Sequence, residues 1–152
     1  MQKSIISDTS CLILLQKIGE LDLLQRLFHT VFITPEIATE YELPLPKWII
    51  IDSPINKTYQ RILEASLDKG ESSAIALCLE KTDPLLIIDD LKGRKFAEKL
   101  GLKISGTLGV LIIAKKQNLI SSIKPALERI KLTDFRFSEH LEKRVLQLAG
   151  ED

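Results

Sequence analysis

The chain has 152 residues, which suits one domain with a full hydrophobic core and leaves little room for two. Apolar residues make up 45% of it and charged residues 28%, values that fit an ordinary globular protein. Lys and Arg number 21 and Asp and Glu number 21, so the formal net charge is zero. That balance excludes a protein that attracts nucleic acid by bulk charge, although a local basic rim escapes such a count.

In chain order, Ser4 to Thr9 reads as a short strand with β-branched bulk at Ile5 and Ile6, ending on Asp8. A strand apolar on both faces belongs at the centre of a parallel sheet. Thr9 or Ser10 is placed to cap a helix through Leu12, Leu15 and Ile18, which Gly19 stops. Leu21 to Phe28 is a second helical piece, and Val31 to Ile33 a second strand. Thr34-Pro35 is a helix start, with Pro at the first helical position and Glu36, Ile37 and Glu40 on the helix that follows. Trp48 to Ile51 reads as a compact apolar strand.

Asn56 to Leu67 is expected to be helical, with Tyr59, Ile62, Leu63 and Ser66 or Leu67 facing inward. Gly70 reads as a break and Glu71 as the opening of a new helix with Ala74, Ile75, Cys78 and Leu79 on its apolar face. Leu85 to Ile88 is the clearest strand. It runs into Asp89-Asp90 and a polar helix with Phe96, Ala97 and Leu100, closed by Gly101. Leu102 to Ile104 is a further strand, and Gly106-Thr107 starts the apolar helix Leu108 to Lys115. Helices follow over Ser122 to Leu132 and Glu139 to Leu148, and Gly150 to Asp152 is expected to fray. Strands alternating with helices argue for an α/β fold with a mostly parallel sheet.

Cys11 and Cys78 sit inside apolar stretches and read as buried free thiols, although one disulfide is arithmetically open. The sequence shows no basic leader with a cleavage site, and its longest near-apolar run, Leu108 to Ala114, is too short to span a bilayer. A soluble protein of the cytoplasm, with no membrane partner, is the expectation.

Parallel sheets place their sites outside the carboxyl ends of their strands. Two strands here end on acids, Asp8 and Asp89, and chain order puts Glu40 and Glu71 near the same edge. Carboxylates brought close together raise one another's pKa unless a cation neutralises them, and hard oxygen donors select Mg²⁺ or Mn²⁺. Each acid also has a plainer reading. Asp8, Asp89 or Asp90 could cap the next helix, Glu71 could be a favourable charge in a first turn, and Glu40 could be an ordinary surface residue. Thr9, Ser10 and Thr107 are hydroxyls near the same edge, suited either to capping or to holding a water or phosphate oxygen. Lys92, Arg94, Lys95 and Lys99 follow the fourth acid. They read first as a solvated helix face and second as contacts to a phosphate group. His29 and His140 lie at no strand end and read as surface or packing residues.

The segments Ile6-Ser7-Asp8-Thr9-Ser10, Thr34-Pro35-Glu36 with Glu40, Asp68 to Ala76, Leu86 to Asp90, Leu100-Gly101-Leu102 and Gly106-Thr107-Leu108-Gly109 follow one another in an order and spacing that resembles the PIN-domain superfamily. More closely, the chain resembles a prokaryotic subfamily of nucleic-acid-binding PIN proteins related to toxin-type ribonucleases. The resemblance implies a three-layer α/β/α sandwich with a central, mostly parallel sheet. It also implies a metal-dependent endoribonuclease in which Asp8, Glu40, Glu71 and Asp89 are the catalytic and metal-binding acids. Asp90, Thr9, Ser10 and Thr107 would support them. Ile87 and Ile88 stand where many relatives carry Thr or Ser before the fourth acid. The family further implies RNA as substrate, a small antitoxin protein as partner, and homodimers. A catalytically silent binding module of the same fold competes with this reading. A signalling receiver domain is disfavoured because the acid pair Asp89-Asp90 closes a late strand. A small-molecule phosphohydrolase is disfavoured because Ser10 stands where a second Asp is expected.

Overall fold

In the computed structural model, which describes residues 3–152, the strands are β1 (Ser4–Ser7), β2 (Val31–Ile33), β3 (Ile49–Ile51), β4 (Pro84–Ile87) and β5 (Lys103–Ser105). They form one sheet of order β3-β2-β1-β4-β5, every pairing parallel. The central strands are the most apolar: Ile5 and Ile6 of β1 and Leu86 and Ile87 of β4 are buried on both faces, as a sheet covered by two helical layers requires. The result is the three-layer α/β/α sandwich.

The helices are α1 (Thr9–Lys17), α2 (Asp22–Phe28), α3 (Pro35–Tyr41), α4 (Thr58–Leu63), α5 (Lys69–Cys78), α6 (Leu91–Lys99), α7 (Thr107–Lys116), α8 (Lys124–Lys131) and α9 (Glu139–Leu148). Thr34 caps α3 as expected, its Oγ1 accepting from Ile37 N at 3.2 Å. The cap of α1 is Asp8, not Thr9 or Ser10. Asp8 sits in extended backbone and its Oδ1 accepts from Cys11 N at 2.9 Å, so the residue that ends the strand also starts the helix.

Three further expectations are corrected. Gly70 does not break the chain: α5 begins at Lys69, capped by Asp68, whose Oδ1 accepts from Glu71 N at 2.8 Å. Tyr59 and Ile62 do not face inward; they are 54% and 64% exposed. The buried stripe is Gln60, Leu63 and Leu67, at i, i+3 and i+7, because Gln60 Nε2 turns in to donate to Glu36 Oε2 at 2.5 Å. Glu151, expected to fray with its neighbours, is fastened. Glu151 accepts from Ile123 N at 2.8 Å, from Lys115 Nζ at 3.3 Å and from the Ser122 hydroxyl, while Lys115 Nζ also donates to Ala149 O at 3.1 Å.

Cys11 and Cys78 are buried free thiols, and both histidines are exposed. Among the described residues no helix is long and apolar enough to cross a membrane.

Candidate functional site

The strand order reverses at the centre of the sheet, where β1 lies between β2 and β4. At such a switch the loops leaving adjacent strands part in opposite directions and open a crevice at the carboxyl edge. Asp8 leaves β1 there and Asp89 stands two residues beyond β4. The backbone stitches them together: Asp8 N donates to Ile87 O at 2.9 Å, and Asp89 N donates to Asp8 Oδ2 at 3.1 Å. Asp8 thus has one backbone N–H on each oxygen and is only 3% exposed.

Asp8, Thr9, Ser10, Glu40, Asp68 and Glu71 line a single cleft of about 40 Å³. A water needs roughly 10–15 Å³ of such space, so the cleft has room for an ion-sized guest but not for a nucleotide. Thr9 Oγ1 donates to Glu40 Oε1 at 2.5 Å, tying α3 to the start of α1. A buried chain of hydroxyls fixes the other wall. Ser73 Oγ donates to Gly70 O at 2.8 Å, and Thr34 Oγ1 meets Ser73 Oγ at 2.7 Å, so the first turns of α3 and α5 are locked together. Gly70 is needed for close approach, since a Cβ there would run into Glu40 Oε1. At Gly93 an added Cβ would meet Ile88 Cδ1 first, at 2.6 Å, and Glu71 Oε2 at 3.2 Å.

The crowding shows in the electrostatics. Burial raises the Asp8 carboxyl from 3.8 to about 7, helped by the nearby charges of Asp89 and Asp68 and opposed by the N–H groups of Cys11 and Asp89. Half-buried Glu71 is raised from 4.5 to about 7, by burial first and then by the charges of Asp68, Asp90 and Asp8. Asp90, whose charge adds to that shift, caps α6 by accepting from Gly93 N at 3.0 Å.

Of the residues singled out from sequence, Asp8, Thr9, Ser10, Glu40 and Glu71 share the cleft. Asp89 adjoins it, but its carboxylate faces the start of α7. Thr107 N donates to Asp89 Oδ1 at 2.8 Å and Thr107 Oγ1 to Asp89 Oδ2 at 2.6 Å. Thr107 is fully buried, and its hydroxyl is spent on that bond. Sequence reasoning missed Asp68 as a lining residue. The available signal was Asp68-x-x-Glu71, the spacing of an N-cap and its third helical residue, which brings an acid at each position to one helix end. It also missed Thr34 and Ser73 as the struts that hold Glu40 and Glu71.

All the donors around the cleft are hard oxygens, the chemistry that suits Mg²⁺ or Mn²⁺. Their spacing is looser: among the described residues no group of three or more His, Cys, Asp or Glu stands close enough together to hold a metal ion. An α/β/α sandwich with an all-parallel sheet and acids gathered at its central switch defines the class. A family model described as a PIN domain matches residues 4–151, and the chain belongs to that family. No curated protein and no solved structure matches it.

Proposed function

We propose that this chain is a metal-dependent ribonuclease that hydrolyses RNA phosphodiesters at the cleft of Asp8, Glu40, Asp68 and Glu71. The observation that carries the reading is the crowding of Asp8 and Glu71, each raised to about 7 in a cleft lined by other acids. Such a cleft repels a polyanion and destabilises its own carboxylates, and a hard divalent cation relieves both. Asp8, Glu40 and Glu71 would hold Mg²⁺ or Mn²⁺, with Asp68 and Asp89 adding charge beside them. When bound, the ion would acidify a water and neutralise charge growing on the phosphoryl oxygens. Two backbone N–H groups keep the Asp8 carboxylate at the strand end, and Thr9 Oγ1 orients Glu40. Asp89 holds α7 against the crevice through Thr107.

A second reading, a catalytically silent module that binds nucleic acid or protein, is favoured by the spacing of the acids. The Asp89 carboxylate is turned toward Thr107, and no three acids are gathered for a metal among the described residues. The positions the side chains now hold support this reading better than the first; the charge they concentrate supports the first. Toxin activity, a small antitoxin as partner, a homodimer and a cytoplasmic location extend the ribonuclease reading on family membership alone.

The deciding experiment is cleavage of unstructured RNA by chelator-treated protein with and without added Mn²⁺ or Mg²⁺, alongside calorimetric titration of Mn²⁺. Metal-dependent cleavage that Asp8→Asn abolishes upholds the first reading. Undetectable cleavage at high enzyme concentration, with no heat of Mn²⁺ binding, leaves the silent module.

A further inference from the structure

Arg94 is the cation most tightly tied to the rim of the crevice. Its Nη1 donates to Ile88 O at 2.8 Å, the carbonyl immediately before Asp89. The Ile88 carbonyl therefore holds the side chain against the end of β4, instead of leaving it to sweep through solvent like Lys92 and Lys95 on the exposed face of α6. The position is marked from the other side by Gly106. A Cβ on Gly106 would stand 2.8 Å from Asp89 Oδ1 and 3.1 Å from Arg94 Nη1, so the guanidinium and the fourth acid flank the same point at the β5–α7 turn.

Despite that closeness, Arg94 forms no ion pair among the described residues. The Asp89 carboxylate is satisfied by the two donors of Thr107. A guanidinium has five N–H donors in a planar fork. Among the described residues its one hydrogen bond is the one to Ile88 O, so the rest of the fork stays open beside Asp89. A partly buried, anchored and unpaired guanidinium suits a phosphate, which it can grip with two parallel N–H bonds.

We infer that Arg94 is a substrate-binding residue that grips a backbone phosphate of single-stranded RNA beside Asp89, holding the strand across the acid cleft. The inference rests on the ribonuclease reading for its substrate. A helix-face lysine could supply charge alone; the carbonyl of Ile88 gives Arg94 direction as well.

The test compares full-length wild type with Arg94→Gln and Arg94→Lys in binding a labelled single-stranded 2′-O-methyl RNA over a range of salt. Each variant is also measured for Mn²⁺ affinity, thermal midpoint and cleavage of ordinary RNA. Arg94→Gln is expected to weaken RNA binding about tenfold, as loss of a charged hydrogen bond does. It should also flatten the plot of log affinity against log salt by about 0.7, one single-strand phosphate contact. Arg94→Lys should keep the salt slope and lose part of the affinity. Mn²⁺ affinity should be unchanged in both. An unchanged salt slope in Arg94→Gln, whatever the thermal midpoint does, overturns the inference and makes Arg94 a brace for Ile88. Wild type that binds RNA but never cleaves it sinks the ribonuclease reading alone, because the salt slope still decides Arg94. Wild type that does not bind RNA overturns both.

Discussion

The acid cleft at the carboxyl edge of the sheet and the Glu151 clasp at the chain's end use the same functional group to opposite effect. Burial works to raise the Glu151 carboxyl, but hydrogen bonds from Ser122 and Ile123 N–H and the Lys115 ammonium outweigh it and hold the group below its usual 4.5. Asp8 also has two backbone donors, yet its pKa rises to about 7, because its burial is deeper and its charged neighbours are acids. Glu71 is raised as far, with three acids contributing. A carboxylate surrounded by donors and a lysine helps hold a fold together. A carboxylate surrounded by carboxylates costs the fold stability unless a cation offsets the crowding.

Removing one acid from each region separates the two cases most sharply. Asp8→Asn should lower metal-dependent RNA cleavage on the order of 100-fold or more, read from initial rates. Its effect on the thermal midpoint should be modest, since relief of repulsion offsets the N–H that the amide leaves unpaired. Glu151→Ala should do the reverse, costing about 2 kcal/mol in chemical denaturation through the lost hydrogen bonds to a charged acceptor while leaving the cleavage rate within twofold. Equal loss of activity in the two variants would erase the distinction between the regions.

The pH dependence of stability sharpens it further. Asp8 and Glu71 bind protons more tightly folded than unfolded, so between about pH 4 and pH 7 the folded chain keeps protons that the unfolded chain has released. Metal-free stability should therefore fall as pH rises through that window and stay lowered above it. Glu151 has the opposite sign: its contribution is present above pH 4.5 and is lost as pH falls through its lower folded value. Thermal midpoints of chelator-treated protein should thus pass through a maximum at mildly acidic pH. Mn²⁺ should raise them more at pH 7.5 than at pH 5.5. A midpoint that climbs steadily from pH 5 to pH 7.5 without metal would contradict the crowding of the cleft.

The smallest effect on stability is expected from Gly70→Ala. The added methyl would displace the Glu40 carboxylate, the flexible end of an exposed side chain, and so should leave the fold intact. Alanine in place of glycine in a helix contributes up to about 1 kcal/mol of its own. Calorimetry should then find weaker Mn²⁺ binding in a protein at least as stable as the parent. Unchanged metal affinity would remove Glu40 from the site.

Much of this was legible because its causes are local. Apolar runs bounded by turn residues gave the alternation of strand and helix, down to Glu139–Leu148, whose bounds agree with the structure. Thr34-Pro35 announced α3 because an N-cap acts over three residues of chain. Asp8 could be placed at a strand end for the same reason. The turn of α4 was misread because its apolar residues fit two neighbouring stripes, and only the distant Glu36, by claiming Gln60, selects one. Gly70 was misread because a glycine that admits a remote carboxylate looks in sequence like a glycine that ends a helix.

Sequence alone determined the class of fold, the parallel sheet and the acids that leave its strands, since periodicity and capping are interactions between near neighbours. Tertiary structure decided the order β3-β2-β1-β4-β5, the entry of Asp68 into the cleft, the capture of Asp89 by Thr107 and the fastening of Glu151. Each of these depends on which distant segment supplies a charge or an N–H, and that follows from how the layers close over the sheet.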